Sequence, residues 1–458
     1  LIRPTGSRVL YVPLLCRTNQ GNEQSMVRWV RAADGSLRPD FRIVERYLDT
    51  AREHLGTPKM VVLYAWDTVL IDREKRPTVD PQAHPYTQKQ QRLAQKRWDE
   101  RQKGMMVTVV GENGEAQPDF VEHYGAAGSR ERWQPVYDRL RAILRERGLE
   151  DTLHLGMITD AAPGKDDVVF LRDVSGGLPW VAHRHPGHLR NKPAPNKALH
   201  GIADVAYEAH VYNIVYQVNP EHGRLYGWRI PEQRVFFGRH GIYNGSPLRL
   251  RLLPEINITG RQRGVGRVGG DMWRVLRNRR GQRAGQVYAR YPENNWRNLN
   301  IDSWVLAPGP DGPVGTARLQ NLVAGLQESE ARVYLEQALL DDDRRARMGG
   351  ELAARAQALL DERQLAMWRT VWPDEKELEK LGTLGDTGNA RNAPEAVWQA
   401  LRRAGVSLPS DFWSGEARNL RRENARRGGA WFLESGWRER NARLYALAAA
   451  VRERAPAP

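Results

Sequence analysis

From Val9 to about Asp271 the sequence alternates short apolar runs with helix-like stretches, and this alternation is the strongest constraint on the fold. Several of the runs are nearly continuous in Val, Leu, Ile and Tyr, which is typical of strands buried on both faces of a parallel sheet. The predicted strands are Val9–Leu15, Met60–Trp66, Met105–Val110, Leu153–Thr159, Trp180–His183, Val205–Val211 and Arg234–Phe237. The helices predicted between them are Phe41–His54, Gln88–Gln102, Arg130–Arg147 and Asp166–Val174.

The spacing of these segments predicts parallel βα units. A further strand is predicted near Ile301–Leu306, which would bring the number to eight. The predicted fold class is therefore α/β, a (β/α)8 TIM-like barrel. An open, doubly wound sheet is the alternative.

After Pro313 the sequence changes in character, and the rest of the chain is predicted to be an all-helical C-terminal region. Its segments are rich in Ala, Leu, Glu and Arg, which favour helices. The predicted helices are Thr316–Leu340, Arg344–Arg369, Glu395–Ala404, Gly415–Arg427 and Glu434–Arg454. We therefore predict a barrel over residues 1–315, followed over residues 316–458 by a barrel-closing helix and a helical extension.

The formal net charge of +15 is concentrated in one stretch, which we call the basic stretch. Between Arg224 and Arg290 the chain has 15 arginines and three acidic residues. Two interpretations fit: a surface that faces an anionic partner, or arginines that pair with carboxylates elsewhere in the fold. A nucleic-acid binder would belong to the first. It is not favoured, because the sequence contains no helix-turn-helix, zinc finger or other recognised nucleic-acid module.

The sequence lacks the signatures of several other classes of protein. No run of about 18 apolar residues occurs, so no membrane span is predicted. Cys16 is the single cysteine, so the chain has no intrachain disulfide framework. The glycines from Gly264 to Gly270 have GxGxxG spacing but lack the helix and acidic residue of a dinucleotide site. We expect a turn near the barrel mouth there, with Asp271 beyond it, and no cofactor.

Polar and aromatic residues gather at the predicted carboxyl ends of the strands, where the active sites of parallel barrels lie. Arg17-Thr18-Asn19 follows the first strand, with Asn22-Glu23 in the loop beyond it. The residues at the ends of the later strands are Tyr64, Trp66, Asp67, Asp160, His183, His185, Glu208, His210, Arg239 and His240. Because so many strand ends carry chemically capable side chains, we expect an active site at this edge.

Two carboxylates across a cavity, flanked by aromatic rings, are what glycoside hydrolysis requires. Glu208 is the predicted general acid, because a glutamic acid among apolar neighbours holds its proton more tightly than one in water. Asp67 or Asp160 is the predicted partner. Predicted substrate-binding residues are Tyr64, Trp66 and Trp180, which would stack on sugar faces, and His183, His185, His210, Arg239, His240 and Asp271.

Metal binding is the competing interpretation of the histidines. His183, His185 and His188 lie close together, and a His-x-His spacing on a strand puts both rings on one face. The sequence has no cysteine cluster and no His-Glu-x-x-His helix. We therefore expect these histidines to hydrogen-bond substrate hydroxyls, and no metal is predicted.

The stretch Ala317–Leu340 reads ARLQNLVAGLQESEARVYLEQALL and resembles the helix that closes the catalytic region of glycoside hydrolase family 123-like proteins. The residues that stand at the positions of that family's pattern are Arg318, Gly325, Gln327-Glu328 and Glu330, preceded by Trp304 and the Pro-Gly-rich loop Ala307–Pro313. The resemblance covers about Val9–Leu340. It implies a (β/α)8 barrel that acts on glycans, often exported and often preceded by a β-sandwich domain. Together with a chain that begins at Leu1, it leads us to expect an extracellular or periplasmic protein.

One departure from the family concerns the adjacent Asp-Glu pair at a strand end, on which its retaining, substrate-assisted chemistry relies. Here Asp-Glu occurs at Asp99-Glu100, Asp361-Glu362 and Asp374-Glu375, all on predicted helices or loops, and Asp67-Thr68 stands where the pair is expected. The predicted function is therefore hydrolysis of glycosidic bonds by a carboxylate pair at the carboxyl-terminal face of the barrel, with a glycan other than an N-acetylhexosaminide, such as an acidic polysaccharide, among the possible substrates. A non-catalytic carbohydrate-binding or structural protein on the same barrel is the alternative.

Overall fold

The computed structural model describes residues 1–18, 22, 24–67, 76–157, 162–184, 198–210, 235–239, 248–259, 264–266, 305–371 and 436–457. The strands are β1 Val9–Pro13, β2 Arg28–Arg31, β3 Leu37–Asp40, β4 Met60–Trp66, β5 Met105–Val110, β6 Ala116–Val121, β7 Leu153–Met157, β8 Trp180–Arg184, β9 Val205–His210, β10 Val235–Arg239, β11 Val265–Gly266, β12 Leu306–Gly309 and β13 Gly312–Gly315. The α-helices are α1 Arg42–Leu55, α2 Pro85–Arg101, α3 Ser129–Arg145, α4 Lys165–Ser175, α5 Leu248–Thr259, α6 Ala317–Leu340, α7 Asp342–Val371 and α8 Trp437–Arg454.

The main sheet has seven strands in the order β1-β4-β7-β8-β9-β10-β11, and every neighbouring pair is parallel. Six of the predicted strands lie in it, which confirms the α/β class and the parallel sheet. The strand order follows the chain without the reversal that defines a doubly wound sheet, so that alternative is wrong for the described strands. Within the described residues β1 pairs with β4 and β11 with β10, and the closure of a barrel is not confirmed.

The two faces of the main sheet carry different side chains. Val61, Leu63 and Ala65 of β4 belong to a large core that also contains the buried residues of α1, α3 and α4. On the opposite face, Met60, Val62 and Tyr64 pack with apolar side chains from β1, β8 and β9. We call this second group the inner-face cluster. Among the described residues all its members come from strands of the sheet, as in the side-chain-filled interior of a parallel barrel.

Helix α3 is held to the large core by one stripe of side chains. The sequence predicts this stripe from apolar residues at helical spacing. Its members are Trp133, Val136, Tyr137, Leu140, Ile143 and Leu144, and all are buried in the large core. The predicted stripe is therefore confirmed, and it fixes α3 against the sheet.

The strand Met105–Val110 lies outside the main sheet, which corrects its prediction as a barrel strand. It is β5 of a separate four-stranded sheet with the order β3-β2-β5-β6. β5 pairs antiparallel with β6 through the tight turn between Gly111 and Glu115, and parallel with β2 on its other side. β2 and β6 occupy both edges of β5, and the backbone N–H of Cys16 also donates to the carbonyl of Met106, so β5 does not pair with β4 or β7.

The predicted eighth strand is also corrected where the structure describes it. Leu306 begins β12, which pairs antiparallel with β13 in a two-stranded hairpin. The rest of the prediction, residues 301–304, lies outside the described residues. The hairpin leads directly into α6, because the backbone N–H and the hydroxyl of Thr316 both donate to the carbonyl of Val305.

Helices α6, α7 and α8 pack together around a second apolar core and confirm a helical tail in the described residues. The predicted helices Glu395–Ala404 and Gly415–Arg427 lie outside those residues. Helix α7 is interrupted at Gly349, where φ is +76°. None of the described helices is both long and apolar enough to span a membrane. The division into two domains at residue 315 stays a prediction.

Gly156 lets β7 lie close to the inner-face cluster. A methyl group built at this position would come within 3.0 Å of a ring carbon of Tyr64 and would overlap a methyl group of Val62. Gly156→Ala is therefore expected to lower stability by about 1–3 kcal/mol through overpacking. Thermal unfolding should show a midpoint several degrees below wild type. Gly350→Ala is the matched control, because nothing lies within 4 Å of its added methyl group. A midpoint unchanged in Gly156→Ala would contradict the packing of the inner face.

Candidate active site

The carboxyl ends of β1 and β4 lie side by side at one edge of the main sheet. Pro13 is in register with Tyr64, and the backbone N–H of Leu14 continues the pairing by donating to the carbonyl of Tyr64 at 3.0 Å. The chain after β1 and the residue after β4, Asp67, therefore leave the sheet at the same place. We call this place the carboxyl edge.

Asp67 follows β4 directly and is completely buried. Burying a carboxylate is costly unless polar neighbours compensate it, so carboxylates in such positions often have a specific role. Of the three predicted catalytic carboxylates, Glu208, Asp67 and Asp160, Asp67 is the one whose side chain the structure describes. It lies at the predicted edge of the sheet. Its role as the partner of the general acid stays a prediction.

A β-bulge at the end of β4 decides which side Trp66 occupies. Tyr64 is in register with Gly156 and Trp66 with Met157, so Ala65 is an extra residue in β4. The hydroxyl of Tyr124 donates to the carbonyl of Ala65 at 2.7 Å, and the indole N–H of Trp66 donates to Asp167 at 3.0 Å. The bulge therefore turns Trp66 towards α4 and the large core.

The predicted sugar-stacking role of two aromatic residues is corrected by this packing. Trp66 and Trp180 are completely buried in the large core between the sheet and its helices, and neither ring has a surface that a sugar could reach. Tyr64 lies on the inner face, where its ring stacks on that of Tyr11 with 4.9 Å between the centroids. A substrate contact by Tyr64 stays a prediction.

The turn after β1 is built around Asn22. The side-chain N–H2 of Asn22 donates to the carbonyl of Leu15 at 2.8 Å, and its side-chain oxygen accepts a hydrogen bond from the hydroxyl of Thr18. The carbonyl of Asn22 accepts the backbone N–H of Arg17 at 2.8 Å. Cys16 and Thr18 are buried, whereas Arg17 between them is exposed. Asn22 therefore fixes an arginine at the carboxyl edge.

Strands β8, β9 and β10 bring the backbones of four further candidates together. Glu208 is in register with Ala182 and Val235, and His210 with Arg184 and Gly238. His183 is opposite Ala209, and Arg239 is opposite Gly266. Only the backbones of Glu208, His183, His210 and Arg239 are described, so their roles stay predictions. The candidates Asp160, His185, His240 and Asp271 lie outside the described residues.

The register of β9 bears on the choice of general acid. Tyr207 is opposite Val181, and both belong to the inner-face cluster. Glu208 is opposite Ala182, whose side chain belongs to the large core. Position 208 therefore shares a sheet face with Ala182, one residue out of phase with the inner face. This register does not favour Glu208 as the general acid, so that role stays a prediction and the variant Glu208→Gln tests it.

His154 lies on the inner face and is a titratable group that the sequence did not single out. Its ring packs edge-on against that of Tyr207, with centroids 5.7 Å apart, and its Nδ1 lies 2.8 Å from the carbonyl of Thr152. Burial lowers the pKa of His154, which favours the neutral imidazole. It lies near the amino end of β7, away from the carboxyl edge, so it is a packing residue. Across the part of the chain that the structure describes, no group of three or more metal-binding side chains occurs.

Helix α5, which lies in the basic stretch, pairs with the helical tail. Arg251 of α5 forms a salt bridge with Glu328 of α6, and Glu255 of α5 accepts hydrogen bonds from Arg363 of α7 at 2.6 and 3.0 Å. Arg332 of α6 also reaches Glu255, at 3.4 Å. The second interpretation of the charge, pairing within the fold, is therefore confirmed for Arg251.

These charges form a buried ion cluster, which we define as Arg251, Glu255, Glu328, Arg332, Glu336 and Arg363. Burial raises the pKa of Glu328, while the neighbouring Arg251 acts in the opposite direction. The indole N–H of Trp437 in α8 donates to Glu328 at 3.2 Å, and the guanidinium of Arg363 lies 4.4 Å from the centre of the Trp437 ring. Five of the six side chains are buried and Arg251 is partly exposed, and each has an oppositely charged partner, as a structural cluster requires.

Comparisons with known proteins add one structural similarity. No protein-family model and no curated protein matches the chain. The chain is similar to a family 123 glycoside hydrolase from Clostridium perfringens, whose structure was analysed for glycolipid glycan hydrolysis. The two share 10% identity with a TM-score of 0.46, and the alignment covers 93% of this chain and 64% of that one. The chain thus spans less than two thirds of the length of that protein. The family is the one that the sequence of α6 resembles, but similarity at this level carries no argument about activity.

The buried ion cluster yields a stability prediction. Glu255→Gln would leave Arg332 and Arg363 without the carboxylate that they share, and breaking a buried pair in this way costs about 3–5 kcal/mol. Thermal unfolding should show a large loss of stability. Asp49→Asn is the control, because it removes the exposed ion pair with Arg147, which is worth at most about 1 kcal/mol. Equal effects of the two substitutions would contradict a structural role of the cluster.

Proposed function

We propose that the protein is a glycoside hydrolase whose active site lies at the carboxyl edge of the parallel sheet. The observation that carries the proposal is the completely buried Asp67 at the end of β4, beside the fixed turn after β1. Parallel sheets in which strand order follows the chain bring loops from successive strands to one edge, and catalytic groups of parallel barrels come from those ends. The proposed substrate is a carbohydrate.

In this proposal two carboxyl groups divide the chemistry. Glu208 protonates the glycosidic oxygen as the bond to the leaving sugar breaks. Asp67 or Asp160 stabilises the positive charge that develops on the ring, or activates the water that replaces the leaving group. The residues proposed to orient sugar hydroxyls are His183, His185, His210, Arg239, His240 and Asp271.

As expected from the sequence, we propose an extracellular or periplasmic location.

Substitution of the proposed carboxylates tests this mechanism. Glu208→Gln and Asp67→Asn are each expected to lower hydrolysis by about 100- to 10,000-fold, the usual contribution of acid–base catalysis. Release of reducing ends from neutral and acidic polysaccharides measures the activity, and thermal unfolding verifies that each variant is folded. Glu53→Gln, an exposed change on α1, is the matched control.

The outcomes of this experiment test the residue assignments and the hydrolase activity separately. If Glu208→Gln hydrolyses at the wild-type rate, Glu208 is not the general acid. If both variants do so, carboxylate catalysis by these two residues is contradicted. If wild type releases no product from any substrate, the hydrolase proposal itself fails.

A non-catalytic carbohydrate-binding protein is the second candidate, and the positions of two Asp-Glu pairs favour it. Asp99-Glu100 lies in α2 and Asp361-Glu362 in α7, where Glu362 pairs with Arg443 of α8. Asp99 is likewise paired, with Arg76. Neither pair follows a strand of the main sheet, so neither matches the arrangement of adjacent strand-end carboxylates.

Binding measured alongside turnover distinguishes the two candidates. A non-catalytic protein would retain on a glycan array the sugars that it recognises, and it would release no reducing ends during a day of incubation. A hydrolase would release product from at least one of the sugars it binds. Product released by wild type and lost in Glu208→Gln would exclude the second candidate.

A further inference from the structure

Arg17 is held in a backbone conformation that is unfavourable for its residue type. Its φ is +51°, in the left-handed region. Among the described residues, the other non-glycine residue with a positive φ is His200. That conformation is unfavourable in free energy for an L-residue that has a Cβ atom. Glycine or asparagine adopts it more readily than arginine. The turn around Asn22 enforces it through the hydrogen bonds of Arg17, Thr18 and Leu15. The strain is therefore built into the structure.

The side chain of Arg17 makes no ion pair with a described residue that would offset this free-energy cost. Its guanidinium is exposed, and no described carboxylate lies within salt-bridge distance of it. Two other arginines with well-exposed side chains do have such partners: Arg31 pairs with Asp119 and Arg42 with Asp40. A strained residue whose charge serves no described partner is a reasonable candidate for a functional role.

The position of Arg17 indicates which site it would serve. The turn follows β1 at the carboxyl edge, and β1 is paired with β4, which ends in the buried Asp67. A cation at this edge lies beside the proposed active site. Arg251 of the basic stretch is engaged with Glu328. Among the arginines whose side chains are described, Arg17 is the one in the segment that directly follows β1 at this edge.

We propose that Arg17 binds an anionic group of the substrate, a uronate carboxylate or a sulfate ester, so that the substrate is an acidic glycan. This rests on the proposed function, because it places the anion in the same site. The planar guanidinium presents paired N–H donors that match the oxygens of a carboxylate or a sulfate. Arg17 would act as a specificity-determining residue, which orients an acidic sugar relative to Asp67 without taking part in bond cleavage.

Arg17→Asn is the decisive variant, because asparagine tolerates the left-handed conformation and removes only the charge and its donors. Arg17→Lys keeps the charge but lacks the paired donors. Arg38→Asn is the matched control, since Arg38 is an exposed arginine on β3 of the small sheet. The probes are oligogalacturonate, hyaluronan and chondroitin sulfate oligosaccharides, each with its carboxyl-reduced or desulfated counterpart. Binding is measured by calorimetry at two salt concentrations.

Wild type is expected to bind at least one acidic probe more tightly than its neutral counterpart, and the advantage should shrink in high salt. Arg17→Asn should weaken acidic binding about tenfold or more, the scale of a lost charge-assisted pair. Its neutral binding should be unchanged and its thermal midpoint equal or higher. Arg17→Lys should fall between the two, and Arg38→Asn should match wild type. Loss of affinity only with galacturonate would assign a carboxylate, and loss only with sulfated chondroitin a sulfate.

Either of two binding results would overturn the inference alone, and a third would remove the proposed function with it. If Arg17→Asn binds the acidic probes as wild type does, or wild type prefers neutral probes, Arg17 has no such role while the proposed function stands. If Arg17→Asn lowers the thermal midpoint, the strain argument is wrong, and Arg17→Lys alone then decides the role by its effect on acidic binding. If wild type binds neither acidic nor neutral probes, the proposed function fails with it.

Discussion

Burial of the main sheet on both faces is the constraint on which the rest of this structure depends. Every residue of β4 is buried, with alternate side chains in the large core and in the inner-face cluster. A strand in this position can only pair with neighbours that are equally apolar, and this selects β1 and β7. The parallel pairing then brings the carboxyl ends of β1 and β4 to one edge, where the buried carboxylate of Asp67 follows β4 and the exposed Arg17 follows β1.

The buried ion cluster ties the later strands to the tail. Glu255 follows β10 in the chain, on α5, and its two arginine partners come from α6 and α7. Gly325 allows α6 to cross α5 closely, because any side chain there would collide with the backbone of Arg251. The cluster crosses the predicted boundary at residue 315, so the helices of the tail are structurally coupled to a helix of the predicted barrel region. The same pairing accounts for part of the positive charge of the basic stretch without an external partner.

The sequence predicts the strands of the main sheet well, because long apolar runs such as Met60–Trp66 have no stable alternative to burial. It does not predict the small sheet, since β2 (RWVR) and β3 (LRPD) are short and charged and become strands only by pairing, β2 with β5 and β3 with β2. The position of Trp66 also escapes prediction. The bulge that turns Trp66 towards the large core is stabilised by two hydrogen bonds between residues far apart in the chain. Tyr124 is 59 residues from its partner Ala65, and Asp167 is 101 residues from Trp66. The strain at Arg17 has no local sequence signal, because it arises from the turn closed by Asn22.

We propose that substrate binds at the carboxyl edge of the main sheet. Hydrogen–deuterium exchange, measured with and without a glycan oligosaccharide that the protein binds, tests it directly. We expect the sugar to slow exchange in the segments Leu14–Thr18 and Ala65–Asp67. Exchange in Lys59–Val61, at the amino end of β4, and in the strand Leu37–Asp40 of the small sheet should be unaffected. Protection confined to the amino end of the main sheet or to the small sheet would contradict it.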